Sequence, residues 1–210
     1  MNLVNVTPVM TSDTTPAPYS CSASSVYSSG KAAWKAFDNR TDSHWSSKAH
    51  ATTSDIILNF GEKTPLYCIT ARGSKDTGSG STINKISIYG RNSNDEWVHI
   101  KDLSTTISSS NNTTVHTFYL DKQVSYESYK FTVITNRGNN MYMRLSEIKL
   151  YQDTDQLQPP SERVKTLVKE TILNHELMQG YAIPCECEET STISTTVYNS
   201  VYNAATAALE

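Results

Sequence analysis

The sequence predicts an all-β protein built as an antiparallel sandwich, and three observations carry that prediction. Apolar and polar residues alternate in short stretches through the first three quarters of the chain, the period of a strand with one face buried. Clusters of Gly, Ser, Asn and Asp separate these stretches at regular spacing, as turns between strands do. Of the 210 residues only 37% are hydrophobic, while Ser, Thr and Asn are abundant, as in β proteins with many polar loops.

The elements follow in chain order. Residues 1–20 read as an extended polar lead-in punctuated by Pro8, Pro16 and Pro18. Ser22 to Ser29 is a first strand or its flank, with Val26 and Tyr27 interposed. Trp34 and Phe37 are close enough in sequence to wedge together into the core. After a loop holding His50, the alternation Ile56, Leu58, Phe60 marks a half-buried strand, and Tyr67, Ile69, Ala71 repeat it. Ile86 and Ile88 mark the next strand, and Trp97, Val98 and Ile100 another. Ser104 to Thr114 reads as a polar loop. His116, Phe118 and Leu120 then alternate with Val115, Thr117 and Tyr119, and Tyr129, Phe131 and Val133 alternate in turn. Met141 to Tyr151 is the last strand.

Gln152 to Pro160 has linker composition, so the chain divides into a sandwich over 1–151, a linker over 152–160 and a tail over 161–210. In the tail, Ser161 is placed to cap a helix carrying Val164, Leu167, Val168, Ile172 and Met178 on one stripe. A second helix is expected from about Thr195 to Leu209. Two short amphipathic helices make no core alone; the expectation is that they anchor the chain to a partner or oligomerise it.

Bulk properties exclude several functions. The net charge is −3, which gives neither a footprint for nucleic acid nor a basic patch for anionic lipid. No apolar run approaches the roughly 20 residues of a membrane span, and the N-terminus lacks the charged and apolar regions of a secretory signal. Cys21 and Cys68 are expected as buried thiols, while Cys185 and Cys187 with His175 match no usual zinc spacing. No nucleophile elbow or phosphate loop is present. The run His175-Glu176-Leu177-Met178-Gln179 lacks the second histidine of a zinc protease. No enzyme is expected.

The densest chemistry lies in Ala36-Phe37-Asp38-Asn39-Arg40-Thr41-Asp42-Ser43-His44-Trp45. By residue type alone this is an Asx-rich turn held by its own hydrogen bonds. It does not fit an EF-hand loop, because Arg40 stands where an acidic ligand belongs and Ser43 where glycine belongs. The spacing Ala36-x-Asp38-Asn39-x-x-x-Ser43-x-Trp45 nevertheless resembles the signature of the discoidin, or coagulation-factor type C, superfamily, whose microbial branch is carbohydrate-binding module family 32. Asn39 stands for the usual glycine and Ser43 for the usual threonine. Three further segments resemble the family in order: Asp55-Ile56-Ile57-Leu58-Asn59-Phe60-Gly61, then Ile83 to Trp97 with Tyr89-Gly90-Arg91-Asn92-Ser93-Asn94-Asp95-Glu96-Trp97, then Arg144-Leu145-Ser146-Glu147-Ile148-Lys149-Leu150-Tyr151.

The resemblance implies an eight-stranded jelly-roll of the galactose-binding type. It implies a structural calcium ion held by the carboxylates of Asp38 and Glu147 and by backbone or hydroxyl oxygens of Lys35, Arg40, Ser43 and Ser146. Such an all-oxygen set suits calcium. It also implies a sugar site on neighbouring loops, with Tyr142 as aromatic platform and Arg72, His50 and Asn139 for the hydroxyls. Ser46 occupies the place of the family's usual histidine, so His50 is a substitute from further along the loop. The expected function is a non-catalytic adhesion module for cell-surface glycans, carried on a bacteriophage virion that the C-terminal helices attach to other virion proteins, as a homo-oligomer. The alternative is a capsid-decoration or tail subunit whose sandwich contacts other proteins. An extracellular accessory module of a glycosidase is the remaining reading.

Overall fold

The computed structural model describes residues 1–74, 82–93, 95–108, 114–135 and 142–156. The chain divides at Asp155, and Met1–Thr154 forms one compact unit. The expected C-terminal helices, the linker beyond Gln156, Asn139, Cys185 and Cys187 lie outside the described residues.

The described residues of this unit form eight strands: β1 (Leu3–Asn5), β2 (Ser20–Ala23), β3 (Trp45–Ser46), β4 (Thr53–Gly73), β5 (Thr82–Arg91), β6 (Val98–Ser108), β7 (Val115–Ile134) and β8 (Arg144–Asp153). They hydrogen-bond in the order β1-β8-β4-β7-β5-β6, with β2 added on β4 and β3 on β8. Every named pair is antiparallel.

Two strands explain how one set of ladders becomes two layers. β4 has 21 residues and β7 has 20, against a usual length of about 5–6. The first part of β4, Thr53 to Asn59, pairs with β2 and with Ser128 to Ile134 of β7. Its last part, Thr64 to Arg72, pairs with Val115 to Tyr126 of β7 and with β8. Between them the register breaks after Asn59, where Gly61 takes a φ of 78° that a side chain resists. Strands that bend in this way change layer at a corner. Tyr129 pins the corner: its hydroxyl donates to Thr64 O at 2.5 Å and accepts from Tyr126 N at 3.1 Å.

The alternating residues fill the space between the layers. Ile56, Leu58, Phe60, Ile69, Ala71, Ile86, Ile88, Tyr129, Phe131 and Val133 are all buried, each large side chain contributing roughly 1.5–3 kcal/mol. Cys21 and Cys68 are buried free thiols, with burial and the neighbouring Asp13 pushing the Cys21 thiol up to about 12.

Four expectations change. Tyr67 is only half-buried, because the irregularity between Leu66 and Cys68 switches the phase of β4 and turns Leu66 inward instead. The loop expected from Ser104 is strand as far as Ser108, and Leu103 and Ile107 are buried there. The lead-in is not merely extended: β1 pairs with β8, Met10 is 1% exposed, and its N–H donates to Phe37 O. β8 also runs on to Asp153, into the expected linker, because Leu3 and Val4 pair with Asp153 and Gln152.

Candidate functional site

The bends in β4 and β7 bring several chain ends to one end of the sandwich. Thr53 pairs with Ile134 at the start of β4, and Arg72 pairs with both Val115 and Glu147 near its finish. β3 joins the same end through Ser46 opposite Arg144, and Ser47 N–H donates to Met143 O at 2.9 Å. Arg72, His50 and Tyr142 therefore all belong to this end.

An aromatic pair forms its clearest feature. The rings of Tyr27 and Tyr142 meet edge to face, 5.1 Å between centroids and 81° between planes. The Arg144 guanidinium lies 5.0 Å from the Tyr142 centroid. Tyr27 is held by its N–H donating to Ser46 O at 2.8 Å, while its side chain stays 57% exposed. Tyr142 is half-buried, so Tyr27 offers the more open ring. Sequence reasoning named Tyr142 and missed Tyr27 and Arg144. The signal for Tyr27 was a lone aromatic in a serine-rich stretch, a weak one.

Arg72 and His50 reach the same end on other segments. Arg72 is opposite Glu147, and Tyr142 lies just before the start of β8 at Arg144. His50 is exposed in a left-handed turn with φ 64°.

The Asp38 turn is ordered from within. Asn39 adopts φ 56°, a left-handed conformation that Gly accepts freely and Asn better than most residues. The Asp38 side chain is 3% exposed; one oxygen accepts Arg40 N–H at 3.0 Å and the other accepts the Ser43 hydroxyl. The Lys35 ammonium is 4.0 Å from that second oxygen. Arg40 forks onto Asp42 at 2.9 and 2.7 Å, which holds the Asp42 carboxyl below its usual range. Trp45 anchors the far side, fully buried, with its indole N–H donating to Ser25 O at 3.1 Å.

The other two expected metal residues sit on β8. Between Arg72↔Glu147 and Gly73↔Leu145 one residue of β8 is extra, and it is Ser146. A bulged residue leaves the ladder, and the Ser146 hydroxyl turns to Gly73 O at 2.7 Å. The Glu147 carboxylate pairs with Lys149 at 3.3 Å. Lys35, Asp38, Arg40 and Ser43 line one open cavity of about 440 Å³, whereas Glu147 lines a separate one of about 60 Å³ with Phe37 and Asn39. The turn thus lies between Asp38 on one side and Glu147 on the other. Among the described residues no three His, Cys, Asp or Glu side chains gather as a metal site. A cation here would rest on carbonyl and hydroxyl oxygens beside the two carboxylates. The donor types are the oxygens a hard ion such as calcium takes, but the two carboxylates line different cavities and each already has a partner, Asp38 in Arg40 N–H and Ser43 and Glu147 in Lys149.

Comparison with known proteins agrees with this architecture. A family 32 carbohydrate-binding module from C. perfringens NanJ, solved in complex with galactose, is 21% identical with a TM-score of 0.53, covering 64% of this chain and 93% of that one. A second family 32 module from Clostridium perfringens, in complex with GalNAc-β-1,3-galactose, is 13% identical with a TM-score of 0.54, covering 64% and 95%. A chitosan-binding module from a chitosanase/glucanase of Paenibacillus sp. IK-5 is 16% identical with a TM-score of 0.51, covering 63% and 94%. At these identities the likeness is one of fold. No curated protein sequence matches the chain. The F5/8 type C domain matches residues 20–148, from β2 into β8 and through the Asp38 turn, and the chain belongs to that family.

Proposed function

We propose that this domain is a non-catalytic carbohydrate-binding module that recognises cell-surface glycans at the end of the sandwich where Tyr27 and Tyr142 meet. The observation that carries the reading is the open Tyr27 ring set edge-on to Tyr142, with Arg144 alongside. An exposed aromatic face takes the apolar face of a sugar ring, and nearby polar groups then select the hydroxyls. Arg72, His50 and Asn139 are the residues proposed for that selection. Family membership supports the reading, and so do neighbours of the same fold that are complexed with galactose or named for chitosan. Those neighbours take different sugars, so the glycan is set by side chains of the loop end.

The proposal includes a structural calcium ion held by Asp38 and Glu147 with oxygens of Lys35, Arg40, Ser43 and Ser146. Such an ion would join the Asp38 turn to β8. The proposed carrier is a phage particle, supported only by the Ser-, Thr- and Asn-rich composition. Display in many copies would there offset weak single-site affinity.

A glycan array with the full chain tests the central claim. Binding to at least one neutral glycan is expected, reduced at least about tenfold by Tyr27→Ala or Tyr142→Ala, as loss of an aromatic anchor does. Absence of binding by the parent chain would favour a scaffold whose loops contact other proteins.

A further inference from the structure

A second group of chemistry-bearing side chains lies on the outer face of β7, β5 and β6, toward the corner and away from the Tyr27 end. Tyr89 is flanked in register by Lys130 on β7 and His99 on β6. Arg91, two residues on and so on the same face, stands opposite Ser128. Trp97, just before β6, completes the group. The Arg91 guanidinium is 4.4 Å from the Trp97 ring centroid, and Lys130 Nζ is 5.0 Å from the same centroid and 4.4 Å from that of Tyr89.

These two cations differ from others close by in what they touch. Lys85 and His99 are taken by Asp102 at 2.5 and 3.0 Å, and Lys101 by Asp121 at 2.6 Å. Glu127, a neighbour of Ser128, accepts instead from the N–H of Ser93 at 2.7 Å and from its hydroxyl. Arg91 and Lys130 have ring partners but no carboxylate partner among the described residues. Aromatic faces hold such cations in place. A guanidinium at this distance from a ring is in cation–π range, and its N–H fork is the group that takes a carboxylate or sulfate in two parallel bonds. A fork and an ammonium around one indole therefore present donors that no protein acceptor among the described residues meets.

The surroundings narrow the class of anion. The chain carries a net charge of −3, and the exposed Asp95 and Glu96 adjoin Trp97. A nucleic acid or an acidic peptide would bring dense negative charge against those carboxylates. Bases would also find the Trp97 and Tyr89 rings already engaged by cations. A saccharide with sparse acid groups meets both demands, since its hydroxyls donate to the carboxylates while its acid group meets the cations. We propose that this face binds an acidic saccharide, with Arg91 and Lys130 holding its carboxylate or sulfate. The site is separate from the loop-end site and stands or falls without it.

The test is retention of the full chain, at low salt, on immobilised hyaluronan, gellan and kappa-carrageenan, each with acid groups on only some of its sugars. Carboxyl-reduced hyaluronan and a DNA duplex serve as comparisons. Retention on at least one acidic polysaccharide is expected. It should fall with added salt and weaken at least about tenfold in Arg91→Ala and in Lys130→Ala, as when a charge-assisted bond is lost. Arg91→Lys should recover part of it. Unaltered thermal midpoints would show that the variants fold. Three results would each overturn the proposal: no retention on any of the three polymers, retention that survives the Arg91→Ala and Lys130→Ala double change, or equal retention on DNA.

Discussion

At the scale of single residues, Asn39 shows how local backbone demand meets chemistry. Its φ of 56° lets the chain reverse between the buried Phe37 and the forked Arg40–Asp42 pair, while Asp38 turns into the protein. Asn39→Ala keeps the position but takes away the residue type that tolerates it, and should cost about 1 kcal/mol. Asn39→Gly should cost little, since glycine adopts this conformation without steric strain. Urea denaturation of the two variants checks the order; a stable Asn39→Ala would mean that the turn is held by its hydrogen bonds alone. Gly90 makes a different demand: a Cβ there would meet the Tyr126 ring at 2.1 Å, so the ring lies directly on the strand. The Asn39 requirement was readable beforehand, because the family signature has glycine at that position. Gly90 also falls in a segment that resembles the family, but the reason for it was not readable, because the ring that needs the space is 36 positions away in the chain.

At the scale of elements, the corner in β4 and β7 decides what lies beside what. Tyr129 is fully buried, and its hydroxyl joins Thr64 O on one strand to Tyr126 N on the other. Burial pushes its phenol up, well above the ordinary tyrosine range, so it stays a neutral donor. Tyr129→Phe keeps the ring but leaves both backbone groups without that partner, and should cost about 1–3 kcal/mol. For a domain of this size that lowers the thermal midpoint by about 2–4 °C per kcal/mol, which calorimetry reads directly; an unchanged midpoint would show that the corner is set by Gly61 and packing alone. Strands with strict alternation, such as Ile56 to Phe60 and Tyr129 to Val133, were legible because period two survives along them. The second half of β4 was misread at Tyr67 because an irregularity shifts the phase by one residue, and sequence periodicity carries no mark of that. The end of β6 was missed for another reason: Leu103 and Ile107 are separated by Ser104, Thr105 and Thr106, too polar a stretch to read as strand.

At the scale of the whole molecule, two expected sites fared differently. The residues expected as metal ligands in the turn came from one signature and lie around one cavity, while Glu147 reaches the turn's other side from β8 and Ser146 is buried against Gly73. The sugar residues came from scattered positions and spread along one end, and Tyr27 became visible only when β3 was seen lying against β8. Calcium offers the clearest global measurement. An ion bound only by the folded chain stabilises it by about 2.7 kcal/mol at a hundred times its Kd. Adding calcium after chelation should raise the thermal midpoint, and Asp38→Asn or Glu147→Gln should abolish the rise. A midpoint indifferent to calcium would leave the turn as a hydrogen-bonded Asx motif.

Because β4 and β7 each run through both layers, there is no seam along which the sandwich can come apart. A local opening in one layer tugs on the other through the same covalent backbone, so the two halves should exchange their amide protons together. The end that holds Tyr27 and Tyr142, by contrast, is reached by described segments that leave this frame, among them the one between β2 and β3. Its chemistry can therefore be rewritten by exchanging tips while the doubled-back strands beneath remain as they are.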